Sequence, residues 1–500
     1  MSEHPDHDLP DLASELLGGA VLYANDEFFA EKENLLRPHP AEWREHAYTD
    51  RGKWMDGWES RRKRVPGHDF AIVRLGQIGR LRHIVVDTSY FRGNFPAEAA
   101  LDGLCLRPDV ELDKLLDDQA PWVELLPRSP LAGHSHNQFV VSSALAVSHV
   151  RLRIYPDGGV ARLRLHGEPL PDWRALGGAR SVFDLAAIEN GGRALACSDM
   201  FFGKKNNLLL PGRAANLASG WETRRRRGPG HDWVTVRLAG EGMIERLELD
   251  TNHFKGNFPD TALVEGCVSA SDELDGASWQ VVVPRQKLMA HTRHLFVEEL
   301  AARGPFTHLR LSVFPDGGVS RMRVWGRLSA RGLDDQVALY LDSRTDSAAR
   351  AALLRCCHST GWVDRVLAAR PFGSGEALGK IVDAAWQARS ESDLDQAMAG
   401  HPRLGDRPVA TSTTASWASD EQRGTASAEA DVLAELARAN AEYEHKFGHV
   451  FLLCATGKSA AEMLTALRTR LGNHPSDERR IAAEEQHKIT ALRLRKLVGA

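Results

Sequence analysis

Five hundred residues exceed what one hydrophobic core organises, so length alone predicts two to four domains. Apolar residues at 43% and charged residues at 26% are ordinary globular values and argue against extensive disorder. A net charge of −4 gives no reason to expect nucleic acid or an anionic membrane as the main partner, so basic runs such as Arg61-Arg62-Lys63-Arg64 need a local explanation.

The opening stretch, MSEHPDHDLPDL, is acidic and polar, which is not the pattern of a signal peptide, and no run of apolar residues is long enough for a membrane span. Six scattered cysteines (Cys105, Cys197, Cys267, Cys356, Cys357, Cys454) show no metal-ligand spacing and read as reduced thiols, so the cytoplasm is the expected compartment.

An internal repeat organises the first two thirds. Gly57-Trp58-Glu59-Ser60-Arg61-Arg62-Lys63-Arg64 returns 163 residues later as Gly220-Trp221-Glu222-Thr223-Arg224-Arg225-Arg226-Arg227. The same offset relates Gly67-His68-Asp69 to Gly230-His231-Asp232, Arg74 to Arg237, Asp87-Thr88 to Asp250-Thr251, and Gly93-Asn94-Phe95-Pro96 to Gly256-Asn257-Phe258-Pro259. Tyr155-Pro156-Asp157-Gly158-Gly159 matches Phe314-Pro315-Asp316-Gly317-Gly318 at an offset of 159. The unit is a duplicated domain, with expected bounds 1–175 and 176–330.

Each copy reads as β. Val150, Leu152 and Ile154 alternate with polar neighbours, a Pro-Asp-Gly-Gly turn follows, and Ala161, Leu163 and Leu165 alternate again, which predicts a hairpin with one buried face. Leu309, Leu311, Val313, Met322 and Val324 repeat the pattern. Two all-β sandwiches in tandem are expected.

Residues 331–346 read as an inter-domain connection, and 347–500 as an all-α domain rich in alanine and leucine. Val432, Leu436, Ala439, Tyr443 and Phe447 follow helical spacing up to Gly448. Ser459-Ala460-Ala461-Glu462 has capping-box form, with Gly472 closing that helix, and the Ser/Thr-rich stretch 411–426 reads as a loop.

Two features of the β region can carry chemistry. The basic run ending in His-Asp offers guanidinium forks for a carboxylate (Arg62, Arg225) beside His68 and His231, which can shuttle protons or bind metal. The competing reading is a charged, solvated loop. The second feature is the strand end at Asp87 and Asp250, where a carboxylate can position water or a metal, or cap a turn before Gly-Asn. GWE(S/T)RRxR…GHD followed by DTxxFxGNFP, occurring twice, resembles the allantoicase repeat over about residues 14–330. The resemblance implies two jelly-roll-like domains and hydrolysis of allantoate to (S)-ureidoglycolate and urea. Arg62, Arg225, His68, His231, Asp87 and Asp250, chosen on their own chemistry and not carried over from the family, are the substrate-binding candidates. The copies differ: His136 answers to Arg293 and Asp102 to Glu265, so both need not be active. No metal-ligand spacing appears, and a divalent metal stays undecided for this part.

From about 348 to 498 the chain resembles 2-oxo-4-hydroxy-4-carboxy-5-ureidoimidazoline (OHCU) decarboxylase. The motifs arrive in order: Cys356-Cys357 with Trp362, Arg370-Pro371-Phe372, His401-Pro402-Arg403-Leu404-Gly405-Asp406, Glu421-Gln422, Tyr443-x-x-Lys446-Phe447-Gly448 with Phe451, and Lys488-Ile489 with Leu492-Arg493-Leu494. The resemblance implies stereospecific formation of (S)-allantoin without a cofactor. It makes His401 the catalytic histidine, Glu421 its partner acid, and Pro402, Leu453 and an arginine of the last helix substrate contacts. Arg493 lies about 40° from Ile489 on the apolar face and Arg495 about 120° away, so Arg493 is chosen over Arg495 and over Arg479-Arg480. Relatives carry a serine where Ala418 stands.

The expectation is therefore a bifunctional enzyme of ureide breakdown with small-molecule ureide substrates and no nucleic-acid or membrane partner. Homo-oligomerisation is left open. The alternative is a tandem β-sandwich ligand-binding module with a helical oligomerisation domain.

Overall fold

The computed structural model describes residues 9–107, 109–173, 175–401, 403 and 430–499. It divides into two compact units, Met1–Ser329 and Ala330–Ala500.

The first unit is β throughout, apart from short helical turns. The first repeat contains β1 (Ala20–Ala24), β2 (Asp69–Asp87), β3 (Glu98–Leu104), β4 (Val123–Pro130), β5 (His136–Val140), β6 (Ala146–Tyr155) and β7 (Arg162–Pro169). The second contains β8 (Arg193–Cys197), β9 (Asp232–Asp250), β10 (Thr261–Cys267), β11 (Gln280–Lys287), β12 (Arg293–Phe296), β13 (Phe306–Phe314) and β14 (Arg321–Leu328). The long strands β2 and β9 reproduce the 163-residue offset at both ends.

Each long strand serves both layers of its sandwich. Asp69–Arg74 pairs with β1 and β6, whereas Gly79–Asp87 pairs with β7 along its length, with β6 at Gly79 and Arg80, and with β5 from His83 on. The register breaks between Arg74 and Gly79, and between Arg237 and Gly242 in β9. Glycine is required at the first break: a Cβ on Gly76 would lie 2.5 Å from the Leu17 carbonyl oxygen.

The alternating segments around the Pro-Asp-Gly-Gly turn have the expected buried face: Val150, Leu152, Ile154, Ala161, Leu163 and Leu165 are all fully buried. The expected hairpin does not form. β6 pairs with β2 between Asp69 and Arg80 and β7 pairs with it between Gly79 and Asp87, so the turn joins two strands that both lie along β2 and not against each other. Period-two alternation reports a buried face and not which strand lies alongside. The turn is closed by packing, because a Cβ on Gly159 would lie 1.9 Å from the Phe91 ring, and one on Gly318 1.9 Å from the Phe254 ring.

The second unit consists of α1 (Ala330–Asp342), α2 (Asp346–Cys356), α3 (Thr360–Leu367), α4 (Gly375–Gln387), α5 (Glu391–Ala399), α6 (Ala430–Phe447), α7 (Ala460–Leu471) and α8 (Pro475–Lys496). The connection expected at 331–346 is mostly helix. Leu333, Val337 and Leu341 recur at i, i+4 and i+8 and are buried, which makes α1 amphipathic, and it packs on α4. Asp342 at its end accepts the Phe372 and Gly373 amides at 3.0 Å, and Arg370 donates to the Leu341 carbonyl at 2.8 Å. The Arg-Pro-Phe motif therefore fastens α1 to the rest of this unit.

The Ser459–Glu462 capping box is formed, with Ser459 N to Glu462 Oε2 at 2.7 Å, and Gly448 takes a positive φ at the end of α6. The 411–426 loop lies outside the described residues. No helix among the described residues is long and apolar enough to cross a membrane.

Because α1 belongs to the helical unit, a fragment spanning 330–500 should unfold cooperatively. One spanning 344–500 should be less stable, on the order of 5 kcal/mol, from exposure of three buried aliphatic side chains and their partners. Urea titration of both fragments checks this; equal midpoints would detach α1 from the helical core.

Candidate functional site

In each sandwich the sequence motifs meet at one end. Trp58 is fully buried and its indole N–H donates to the Asp26 carbonyl at 2.8 Å; Trp221 does the same to Asp199 at 2.9 Å. Glu59 accepts from Asn94 Nδ2 at 2.7 Å, joining the Trp-Glu strand to the Gly-Asn-Phe-Pro turn, and Glu222 accepts from Asn257. The Lys63 amide donates to Asp157 Oδ2 at 2.8 Å and the Arg226 amide to Asp316 Oδ2 at 2.7 Å, fastening the basic run to the Pro-Asp-Gly-Gly turn.

Much of the basic run is structural. Arg61 pairs with Asp26 at 2.7 Å and Arg224 with Asp199 at 3.4 Å, while Lys63 and Arg226 pair with Asp69 and Asp232. Arg62, Arg64, Arg225 and Arg227 are exposed, with no ion pair among the described residues. His68 lies with its ring 5.0 Å from Tyr155, over which Arg128 sits at 4.3 Å. His231 lies 4.6 Å from Phe314, with Arg285 at 4.0 Å. Burial first, then Arg153, Arg151 and Lys63, hold the His68 imidazole below its ordinary pKa.

Asp87 and Asp250, buried at the far ends of β2 and β9, each use one oxygen to cap a turn: Ser89 N to Asp87 at 2.8 Å and Asn252 N to Asp250 at 2.9 Å. His136 Nε2 stands 3.6 Å from Asp87, and Arg213 Nε 3.3 Å from Asp250. No hydrogen bond or ion pair links Arg62, His68 and Asp87 to one another, nor Arg225, His231 and Asp250, among the described residues. Asp102 and Glu265 are ion-pair members, with Arg153 and Arg310 at 2.7 Å.

Sequence reasoning passed over Arg162 and Arg321. Arg162 is 1% exposed and donates to Asp56 at 2.7 Å and to the Asp56 and His39 carbonyls at 3.1 Å. Among the described residues Arg321 donates to carbonyls alone, those of Asn207, Gly212, Ser219 and Ser320, and burial together with Arg323 pulls it down to about 10. The available signal was an arginine two positions after each Gly-Val of the turn, on the strand face opposite Ala161, Leu163 and Leu165 in the first copy and Met322 and Val324 in the second. Among the described residues no group of three or more His, Cys, Asp or Glu is placed to hold a metal ion.

In the helical unit three segments converge: Cys357-His358 between α2 and α3, Gly400-His401 after α5, and Gln486, Thr490 and Arg493 on one face of α8. Arg493 is 1% exposed. The competing arginines face solvent acids: Arg495 pairs with Asp334 and Arg479 with Glu391, each at 2.7 Å. The Nε2 of His401 is sealed from solvent. Burial, then the positive field of Arg493, then His358 push its pKa down to about 3, against a raising contribution from Gln486. Burial pushes the neighbouring Cys357 thiol up to about 11.

Pro402 and Glu421 lie outside the described residues. Leu453 is half-buried against the Leu436–Tyr443 cluster, and the next amide, Cys454, donates to Glu485 at 2.7 Å. The Tyr-x-x-Lys-Phe-Gly motif is structural: Tyr443 donates to buried Glu478, which also pairs with Arg470, and Lys446 donates to the Asn473 carbonyl at 3.1 Å beyond α7.

Comparison with known proteins divides the chain at the same place. The family profile described as Allantoicase repeat matches residues 10–170 and 183–329, and that described as OHCU decarboxylase matches 342–495. A probable allantoicase of Pseudomonas fluorescens is 49% identical over 323 residues, covering 64% of this chain and 96% of that protein. One of Photobacterium profundum is 50% identical over 320 residues, covering 63% and 95%. The crystal structure of an allantoicase from Saccharomyces cerevisiae is 33% identical with a TM-score of 0.55, covering 63% of this chain and 92% of that one.

A histidine pKa near 3 means that the neutral imidazole persists from alkaline pH down to that value. In a nitrogen-15 NMR titration, His401 should not protonate between pH 8 and 5, whereas exposed imidazoles titrate near 6.5. A His401 midpoint above about 5 would contradict the buried, arginine-flanked environment.

Proposed function

We propose that this chain, which belongs to the allantoicase family and carries an OHCU decarboxylase domain, acts at two steps of ureide breakdown with a separate site for each. Its β unit hydrolyses allantoate and its helical unit decarboxylates OHCU. The observation that carries the reading is the duplicated motif cluster in one unit and the buried His401–Arg493 constellation in the other.

Allantoate is a small carboxylate whose central carbon bears two ureido groups. Its hydrolysis breaks one bond from that carbon to nitrogen: urea leaves, and the oxygen of water bonds to the carbon, giving ureidoglycolate. Arg61, Lys63, Arg224 and Arg226 are tied to acids, and of the four arginines of these runs without an ion pair among the described residues we assign Arg62 and Arg225 to the substrate carboxylate. His68, kept neutral at its aromatic partner, is available to accept a proton from water.

In the decarboxylase, Arg493 binds the substrate carboxylate. The bond between the ring carbon and the carboxyl carbon breaks, carbon dioxide leaves, and the electron pair moves toward the adjoining imine, so no organic cofactor is needed. Neutral His401 takes the proton of the ring hydroxyl as that carbon becomes a carbonyl and returns it to one face of the adjoining ring carbon, which yields (S)-allantoin, while the former imine nitrogen is protonated from water. By its likeness to the family, Glu421 orients His401, and Pro402 and Leu453 line the substrate. A pure binding module would have no use for a buried imidazole beside a buried guanidinium. The six free cysteines suit a reducing compartment, and we place the enzyme in the cytoplasm.

Urea release from allantoate tests the first activity. Arg62→Ala or Arg225→Ala should raise KM, by about 1.5–3 kcal/mol in apparent binding for a charge-assisted hydrogen bond. Unchanged kinetics in both variants would return these arginines to the solvated surface.

The second activity is read by circular dichroism of allantoin formed from freshly generated substrate. His401→Ala should slow decarboxylation about 10²–10⁴-fold and leave racemic product from the uncatalysed decay, while allantoate hydrolysis on the same chain continues. Near wild-type formation of (S)-allantoin would remove His401 from the mechanism.

A further inference from the structure

The decarboxylase reading uses His401 and Arg493 but leaves two polar groups in the same cluster without a role. Among the described residues, Nδ1 of His358 is sealed from solvent with no hydrogen-bond partner; Oε1 of Gln486 lies beside the His401 ring and raises its pKa, in an arrangement that leaves neither that oxygen nor Nε2 of His401 a well-aligned hydrogen bond. Polar atoms left unpaired or poorly aligned in a protein interior are costly and rare, and three meeting in one place ask for a polar occupant.

Their placement is built in. The amide nitrogen of Gln486 donates to Thr490 Oγ1 at 3.1 Å, and that hydroxyl donates to the Gln486 carbonyl one turn back at 3.0 Å. This fixes the amide with its oxygen away from Thr490, on the side of His401. Gln486 is completely buried, so the oxygen has no water to fall back on. The His358 ring lies against the backbone just before His401: a Cβ on Gly400 would stand 2.2 Å from His358 Nδ1. Glycine at 400 is what admits an imidazole there.

We propose that His358 and Gln486 form the subsite for the ureido arm of the decarboxylase substrate, while Arg493 takes its carboxylate. The proposal rests on the decarboxylase reading above. A ureido group presents N–H donors on one side and a carbonyl on the other. The Gln486 oxygen accepts from the donors, and a neutral imidazole nitrogen of His358 donates to the carbonyl. Burial and the field of Arg493 hold His358 in that neutral form. The subsite thereby selects a carboxylate that carries a ureide over one of the same size without N–H donors.

The experiment uses the full chain and (S)-allantoin, which keeps the ureido arm and lacks the carboxylate. Calorimetric Kd for (S)-allantoin and KM for freshly generated substrate should both rise at least about tenfold in His358→Ala and in Gln486→Leu, with kcat changed less than about threefold. His358→Asn keeps a polar group at the Nδ1 position and should recover most of the loss. Arg493→Lys should leave the (S)-allantoin Kd within about threefold, because that ligand has no carboxylate to lose. Folded variants with wild-type Kd and KM, or a loss confined to kcat, overturn the subsite. Should a variant unfold, the unaltered chain decides: (S)-allantoin must shift the His358 ring resonances, and their constancy overturns the proposal. A wild-type chain that neither binds (S)-allantoin nor decarboxylates the substrate would sink the decarboxylase reading itself, whereas an active wild type with indifferent variants sinks the subsite alone.

Discussion

A strand of nineteen residues, such as Asp69–Asp87, spans about 60 Å at the usual rise of 3.3 Å, some three times the ordinary strand length. It cannot stay in one sheet of a sandwich built from a repeat this short. It leaves the first sheet at the Arg74–Gly79 break and enters the second, and β9 does the same at Arg237–Gly242. The crossing returns both ends of the strand to one place: Asp69 lies opposite Ile154 and Asp87 opposite Arg162, on either side of the turn at 155–161. Segments around Trp58, Asn94 and Asp157 gather there because the long strand brings its two ends together. Gly158 and Gly159 then let the turn seat against Asn94–Pro96 and the Phe91 ring.

Within that shared frame the copies have diverged in charge. The cross-strand pair Arg74–His149 has its twin in Arg237–His308. In the second copy Asp272 binds His308 Nε2 at 3.2 Å and Arg237 at 3.1 Å, and the His308 hydrogen bond, outweighing burial, with Arg237 and Arg193 draws its pKa down to about 2. In the first, Asp109 at the matching offset turns to Arg107 at 3.1 Å, and Ala20 stands where Arg193 does. Without a carboxylate, buried His149 is held neutral by burial and by Arg74, near pKa 4. The first copy keeps the acid but turns it to another arginine, and it lacks the counterpart of Arg193, so the same histidine sits in a different charge setting. Symmetric motifs do not make symmetric sites.

What sequence could show followed from how directly each feature maps onto the backbone. The duplication, the Ser459 capping box and the inward face holding Arg493 are local or periodic, and pattern reading reaches them. The hairpin around Pro156 was misread because alternation fixes the face a strand buries and says nothing of its neighbour. The connection at 331–346 hid a helix because its apolar residues are few; they are spaced for burial against α4, which lies some forty residues on. The split within the basic run, where Arg61 and Lys63 are tied to acids and Arg62 is not, depends on Asp26 and Asp69 arriving from elsewhere in the fold. The convergence of His358, His401 and Gln486 was equally out of reach, since 128 residues separate its ends.

The two units meet the same demand, a small carboxylate carrying ureido groups, with arginines in opposite settings. Arg62 and Arg225 are exposed, so water and salt screen them and each contributes modestly; several weak contacts must act together. Arg493 is buried, where water screens its charge little, so an anion placed beside it is attracted more strongly than at the surface. The substrate carboxylate supplies that anion, and its departure as carbon dioxide takes the charge away again. The charge balance of the pocket therefore changes in the same step as the chemistry, and the product, which has no carboxylate, loses its strongest hold. A ureido subsite at His358 and Gln486 would be the contact that substrate and product share. The difference between the two ligands then falls on Arg493, which is where an enzyme that must release its product needs it.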